Sequence, residues 1–163
     1  MKLQGKVAIV TGGARDLGRA ISIKFAQEGA KVAVNYFDNP EDAAETLKLI
    51  QAAGSEGIIV QGDMTKATDV KNLFDKAIEA FGNHIDALVN VVGGIVGRKL
   101  VTEQDETWYD FLMDVNMRSV FLCTREAVPY MSAGSTLSIF RLLQPVMVAV
   151  LEHLCMQLPK VLL

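Results

Sequence analysis

The stretch Lys6-Val-Ala-Ile-Val-Thr-Gly-Gly-Ala-Arg-Asp-Leu-Gly-Arg-Ala20 constrains this chain more than any other. Residues 7–10 form a short apolar run suited to a buried strand. Glycines follow at Gly12, Gly13 and Gly18, and a helical pattern then places Leu17, Ala20, Ile21 and Phe25 on one face. A strand, a glycine turn and a helix N-terminus together make a seat for a phosphate anion. Glycine lets the backbone approach the ligand, and the unpaired N–H groups of the first helical turn point at the negative charge.

The rest of the chain repeats this alternation. Residues 31–34 and 56–61 read as strands two and three, and residues 86–90 as strand four. Helices are expected from Pro40 to Gly54, over the run Val70 to Phe81, starting near 102–106, and from about 114 to 130. A loop with Gly93, Gly94 and Gly97 joins strand four to the later helices. Strands separated by helices of this length imply a parallel sheet with right-handed crossovers, hence an α/β, doubly wound fold.

Composition narrows the class of protein. With 163 residues the chain is expected to build one domain, and its net charge of −3 offers nothing to nucleic acid. The longest apolar run near the C-terminus, residues 146–151, is far short of a membrane span. The first strand follows Met1-Lys2 almost at once, so no signal peptide is expected. Cys123 and Cys155 lack metal-ligand spacing, so no metal is expected and a reducing cytoplasm is the expected location.

Four motifs in order resemble the short-chain dehydrogenase/reductase family, nearest to members like 3-oxoacyl-[acyl-carrier-protein] reductase. Thr11-Gly12-x-x-x-Asp16-x-Gly18 is similar to the family's glycine loop, with Asp16 where the middle glycine stands. Gly62-Asp63-Met64 resembles the segment whose carboxylate and following N–H hold the adenine. Asn90-Val-Val-Gly93 resembles the element that supports the central sheet and lies along the cofactor. Asn116 resembles the helix asparagine that anchors a water in the proton relay, the one catalytic position retained.

The resemblance covers roughly residues 3–136. It implies a Rossmann sheet, incomplete here after about four strands, and a cofactor site built from Gly12, Arg15, Asp16, Leu17, Gly18, Tyr36, Asp63, Met64, Asn90 and Gly93. It implies NAD(P)-linked interconversion of a ketone and a secondary alcohol, with a small-molecule substrate and homo-oligomers formed through the helices of residues 102–130. Tyr36 stands where NAD-preferring members carry an acid, although Asp38 is close, and Arg15 is placed to meet a 2′-phosphate. The expectation therefore leans to NADP over NAD.

Asp16 would repel a phosphate 4 Å away by about 4 kcal/mol at an effective dielectric of about 20. It is expected to turn outward and cap a helix beginning at Leu17, contributing roughly 1 kcal/mol. Arg15 would offset any remaining repulsion.

The family's catalytic half has no counterpart here. Its polarising Ser is missing, and no tyrosine is followed four residues later by a lysine: Tyr36, Tyr109 and Tyr130 lead to Pro40, Met113 and Gly134. Loss of a general acid alone costs about 10²–10⁴ in rate. Residues 137–163 also change texture, with no glycine, Asp, Asn, Thr or Tyr and eight leucines.

The genetic code offers a reason for that change. If one base is missing near codon 137, the codon spanning Met147 and Val148 must read Gly. The codon spanning Met156 and Gln157 must read Ala. Cys155 with Met156 allows only Tyr or His, and Pro159 with Lys160 allows Lys, so Tyr-Ala-x-x-Lys emerges. Residues 137–142 can decode as a strand ending in Ser. The chain thus divides into an incomplete dinucleotide-binding domain, 1–136, and a frameshift-derived tail, 137–163. Two other readings stay open: a non-catalytic nucleotide-binding or interaction module, and a non-functional product of a damaged gene.

Overall fold

A computed structural model describes residues 1–94, 97 and 99–139. The decoded tail beyond residue 139 lies outside the described residues. The elements run β1 (Val7–Thr11), α1 (Asp16–Gln27), β2 (Lys31–Tyr36), α2 (Pro40–Ala52), β3 (Gly57–Gln61), α3 (Ala67–Phe81) and β4 (Ala87–Asn90). They continue with α4 (Glu106–Met113), α5 (Ser119–Ala127) and β5 (Thr136–Ile139). A π-helical turn, Asp114–Arg118, joins α4 to α5, so the single helix expected from 114 to 130 is a composite.

All strand pairs are parallel, in the order β3-β2-β1-β4-β5. The sheet carries a fifth strand where the sequence suggests about four. Thr136-Leu-Ser-Ile139 alternates polar and apolar residues and pairs along the edge of β4, so β5 crosses the expected boundary at 136/137. The chain first moves outward from β1 through β2 to β3, then returns to the other side of β1 for β4. That reversal opens a crevice at the C-terminal strand ends, beside the glycine turn.

The two faces of the sheet bury separate cores, because successive strand residues point to opposite sides. Ile9, Ala33 and Leu88 pack with Phe74 and Leu73 of α3 and Leu122 and Cys123 of α5. Val10, Val32, Val34 and Val89 pack with Ala26 of α1 and Ala43 and Ile50 of α2. Burial pushes the Cys123 thiol up to about 12, which leaves it an apolar filler.

Two local features bear on the glycine turn. A Cβ on Gly18 would overlap the carbonyl oxygen of Gly12, so only glycine lets α1 sit this close to the end of β1. Asp16 turns outward as expected, with its side chain 89% exposed. The expected cap is not formed: Arg15 occupies the N-cap position, α1 starts at Asp16 itself, and among the described residues no side chain bonds the first-turn N–H groups. The reason is the backbone, since Asp16 holds φ +48° where the family pattern has glycine. Asp is among the few residues that tolerate this left-handed region.

At the opposite strand ends, Asp86 ties β1 to β4. Its carboxylate accepts from Val7 N–H (2.9 Å), Lys6 Nζ (2.8 Å) and His84 Nε2 (2.9 Å). Partial burial pushes this carboxyl up, but these hydrogen bonds outweigh it and hold it below the usual carboxylate value. The ionised form therefore favours the fold. Its contribution is full above the free carboxylate's titration and is lost as pH falls through the depressed value. Asp86→Asn is expected to cost about 1–2 kcal/mol at pH 7, and urea titrations across pH 2–7 should show the gap closing at the acid end; an equal gap at all pH values would refute this. Asp16→Gly is expected to stabilise by about 0.5 kcal/mol and Asp16→Ala to destabilise, as read from their denaturation midpoints.

Candidate functional site

A cleft of about 630 Å³ lies at the C-terminal ends of β1–β4. Nine of the residues singled out in the sequence line it: Gly12, Arg15, Asp16, Leu17, Gly18, Tyr36, Asp63, Met64 and Gly93. Asn90 and Asn116 do not line it. Asn90 is buried beside Thr11 in the β1–β4 register, and among the described residues its Nδ2 has no hydrogen-bond partner. Asn116 sits in the π-helical turn, next to Val115, which does face the cleft.

The floor of the cleft is set by a residue that the motifs do not reveal. Asn35, 1% exposed, accepts the Gly12 N–H on Oδ1 (3.1 Å) and donates from Nδ2 to the carbonyls of Gly62 (3.0 Å) and Tyr36 (3.2 Å). Its own carbonyl accepts Gly13 N–H at 3.0 Å. One amide thus joins the ends of β1, β2 and β3. The available signal was a polar residue closing the apolar run Val32-Ala-Val34, where an unpaired amide would be costly.

The other side is held from Thr11 and Asn116. Thr11 Oγ1 accepts Val91 N–H (3.1 Å) and lies 3.4 Å from Val92 N. Asn116 Oδ1 accepts Gly94 N–H (2.9 Å), and its Nδ2 donates to Leu112 O (2.9 Å) and Gly94 O (3.3 Å). A Cβ on Gly93 would stand 2.9 Å from that Oδ1. The Asn116 side chain therefore fixes the loop after β4.

Charge around the cleft is mostly acidic, with Asp16, Asp38, Asp42, Asp63 and Asp114 facing Arg15. Asp42 is neutralised by Arg19 at 2.8 Å, and the same guanidinium binds Thr46 Oγ1 (2.8 Å) and Ala14 O (3.0 Å). Burial would raise the Asp63 carboxyl, but the Thr65 hydroxyl and N–H (2.7 and 3.0 Å) and the Lys66 charge hold it below the usual value. Arg15 meets only Asp16 among the described residues, at 3.8 Å and largely in solvent, a pair worth little.

An anionic dinucleotide fits these features. The first turn of α1 keeps its N–H groups uncapped, and Gly18 brings that turn directly over the end of β1. The cleft volume is within the range of small-molecule sites. Asn35→Ala should leave the Gly12 N–H and Gly62 C=O without their buried partner. It is expected to cost about 1–3 kcal/mol, and amide exchange at Gly12 should accelerate more than at Asp86.

Comparison with known proteins gives the same picture. A family model described as short chain dehydrogenase matches residues 6–140. An uncharacterized oxidoreductase of Methylorubrum extorquens is 36% identical over 136 residues, 83% of this chain and 54% of that protein. The short chain dehydrogenase/reductase nsrJ of Aspergillus novofumigatus is 37% identical over 133 residues, 82% and 50%. The chain thus spans about half the length of the curated relatives it matches. Among solved structures, a short-chain dehydrogenase/reductase from Serratia marcescens superposes with TM-score 0.81 at 32% identity, over 85% of this chain and 56% of that one. An NADH-dependent reductase complexed with NAD gives TM-score 0.74 at 36% identity, over 78% and 53%. With the motifs, the sheet order and the cleft all in agreement, the chain belongs to the short-chain dehydrogenase/reductase family.

Proposed function

We propose that this chain carries the dinucleotide-binding half of a ketone/secondary-alcohol oxidoreductase and binds NADP in preference to NAD without appreciable turnover. The observation that carries the reading is the cleft over the glycine turn, with the uncapped first turn of α1 in its wall. There the first-turn N–H groups would receive the pyrophosphate. Asp63 and the Met64 N–H would receive the adenine and Asn90 would lie along the cofactor, while Thr11 and Asn116 keep the loop of Gly93 aligned. The bound nicotinamide would supply hydride chemistry.

Arg15 supports the NADP preference, because its guanidinium makes no close ion pair among the described residues and stands on the cleft wall. Asp38 opposes it, whereas Asp42 is already matched by Arg19. The lack of turnover rests on the missing Ser and Tyr-x-x-x-Lys. A frameshift over 137–163 accounts for that loss, and the parent activity, like that of 3-oxoacyl reductases, would act on a small ketone. Exposed apolar side chains on α4, on α5 and just after it, Tyr109, Phe121 and Val128, each about 60% exposed, support a homo-oligomer. No helix among the described residues is long and apolar enough to cross a membrane, and a cytoplasmic location remains the expectation.

The test is a fluorescence titration of the purified chain with NADPH and NADH, followed by a ketone-reduction assay. Tighter NADPH binding with no ketone-dependent oxidation is expected. Arg15→Ala should weaken NADPH about tenfold and leave NADH unchanged. Turnover above background, or equal affinity for the two nucleotides, would overturn the corresponding part. Sequencing the source DNA across codon 137 tests the frameshift, for which a missing base is expected.

A further inference from the structure

The glycine turn carries a negative charge that the loop it resembles lacks. Where that loop has its middle glycine this chain has Asp16, at φ +48° in the first turn of α1 and on the cleft wall. Five aspartates line the cleft, but three are matched by cations: Asp42 by Arg19 (2.8 Å), Asp63 by Lys66 (3.5 Å) and Asp114 by Arg118 (2.8 Å). Asp16 meets only Arg15 among the described residues, at 3.8 Å, with both side chains mostly in solvent. Asp38 lies beyond the end of β2, whereas Asp16 belongs to the helix turn itself.

That position matters because of what the first turn offers. Among the described residues no side chain bonds its N–H groups, so they are a source of positive potential for an anion. A carboxylate in the same turn lowers that potential, and its effect grows with the charge the ligand brings. In a pyrophosphate diester each phosphorus has one ionised oxygen. A terminal phosphomonoester carries roughly −1.5 to −2 at pH 7. At low salt one extra charge a few ångströms away in water is worth roughly fivefold in affinity.

We propose that Asp16 is a specificity-determining residue that sorts phosphate ligands by charge. It admits the pyrophosphate diester of a dinucleotide and disfavours nucleotides that end in a phosphomonoester. This rests on the dinucleotide reading given above and adds to it a rule of exclusion. The outward side chain keeps the diester acceptable, because water and salt screen an 89% exposed carboxylate.

The experiment is calorimetric titration of the full chain with ADP-ribose and with ADP, in metal-free buffer at low and high salt. The two ligands share the adenosine and differ in the charge at the second phosphorus, so the ratio of their affinities reads the charge at the turn. Asp16→Asn removes the charge and keeps a residue that tolerates the left-handed region. At about 20 mM salt it should lower the preference for ADP-ribose over ADP about fivefold. Asp16→Gly, which also removes the backbone demand, should give the same change. Near 1 M salt, where the screening length is about 3 Å, wild type and both variants should converge. An unchanged ratio in Asp16→Asn at low salt would overturn the charge sorting and leave the dinucleotide reading standing. A change of equal size at high salt would overturn its electrostatic basis. Absence of ADP-ribose binding by the wild type at either salt would overturn both readings.

Discussion

The buried amide of Asn35 is the interaction on which the cleft depends. Three strand ends and the glycine turn converge on it, and each contributes a backbone group that would otherwise be buried without a partner. Such groups are costly when orphaned, so the amide specifies the arrangement more than its modest net energy suggests. With Gly12 held by Asn35, Gly18 can approach Gly12, and α1 can aim its N-terminus into the crevice. Arg19 then extends the same order outward, joining α1 to α2 through Ala14, Thr46 and Asp42.

The turn also shows how an anion site tolerates an acid. Asp16 occupies a left-handed backbone position and points its carboxylate into water, where solvent and salt weaken its repulsion of a phosphate. The anion would feel instead the uncapped N–H groups and, nearby, Arg15. Geometry, more than net charge, makes the cleft suited to phosphate. Five aspartates line it, but Asp42 is paired with Arg19 and Asp63 with Thr65 and Lys66.

On the far side of β1 the structure is organised around Asn116. Its amide binds both backbone groups of Gly94 and the carbonyl of Leu112. That side chain lies buried within the π-helical turn between α4 and α5. The amide of the expected catalytic asparagine is thus committed to holding the loop after β4.

Much of this was legible in the sequence. The apolar runs at 7–10 and 32–34, the helical spacing from Val70 to Phe81 and the glycine turn are short-range patterns. Local stereochemistry and the burial of one face suffice to read them. Nine of the expected cofactor positions line one cleft. What the sequence could not decide were features set by partners far along the chain. Asn35 looks like any strand-end polar residue until Gly12 and Gly62 are beside it. The helix start at Asp16, with Arg15 at its cap, goes with a left-handed backbone angle at Asp16 that the side-chain pattern does not show. Periodicity is written between neighbours in sequence, whereas a site is made where distant segments meet, and packing alone chooses which ones do.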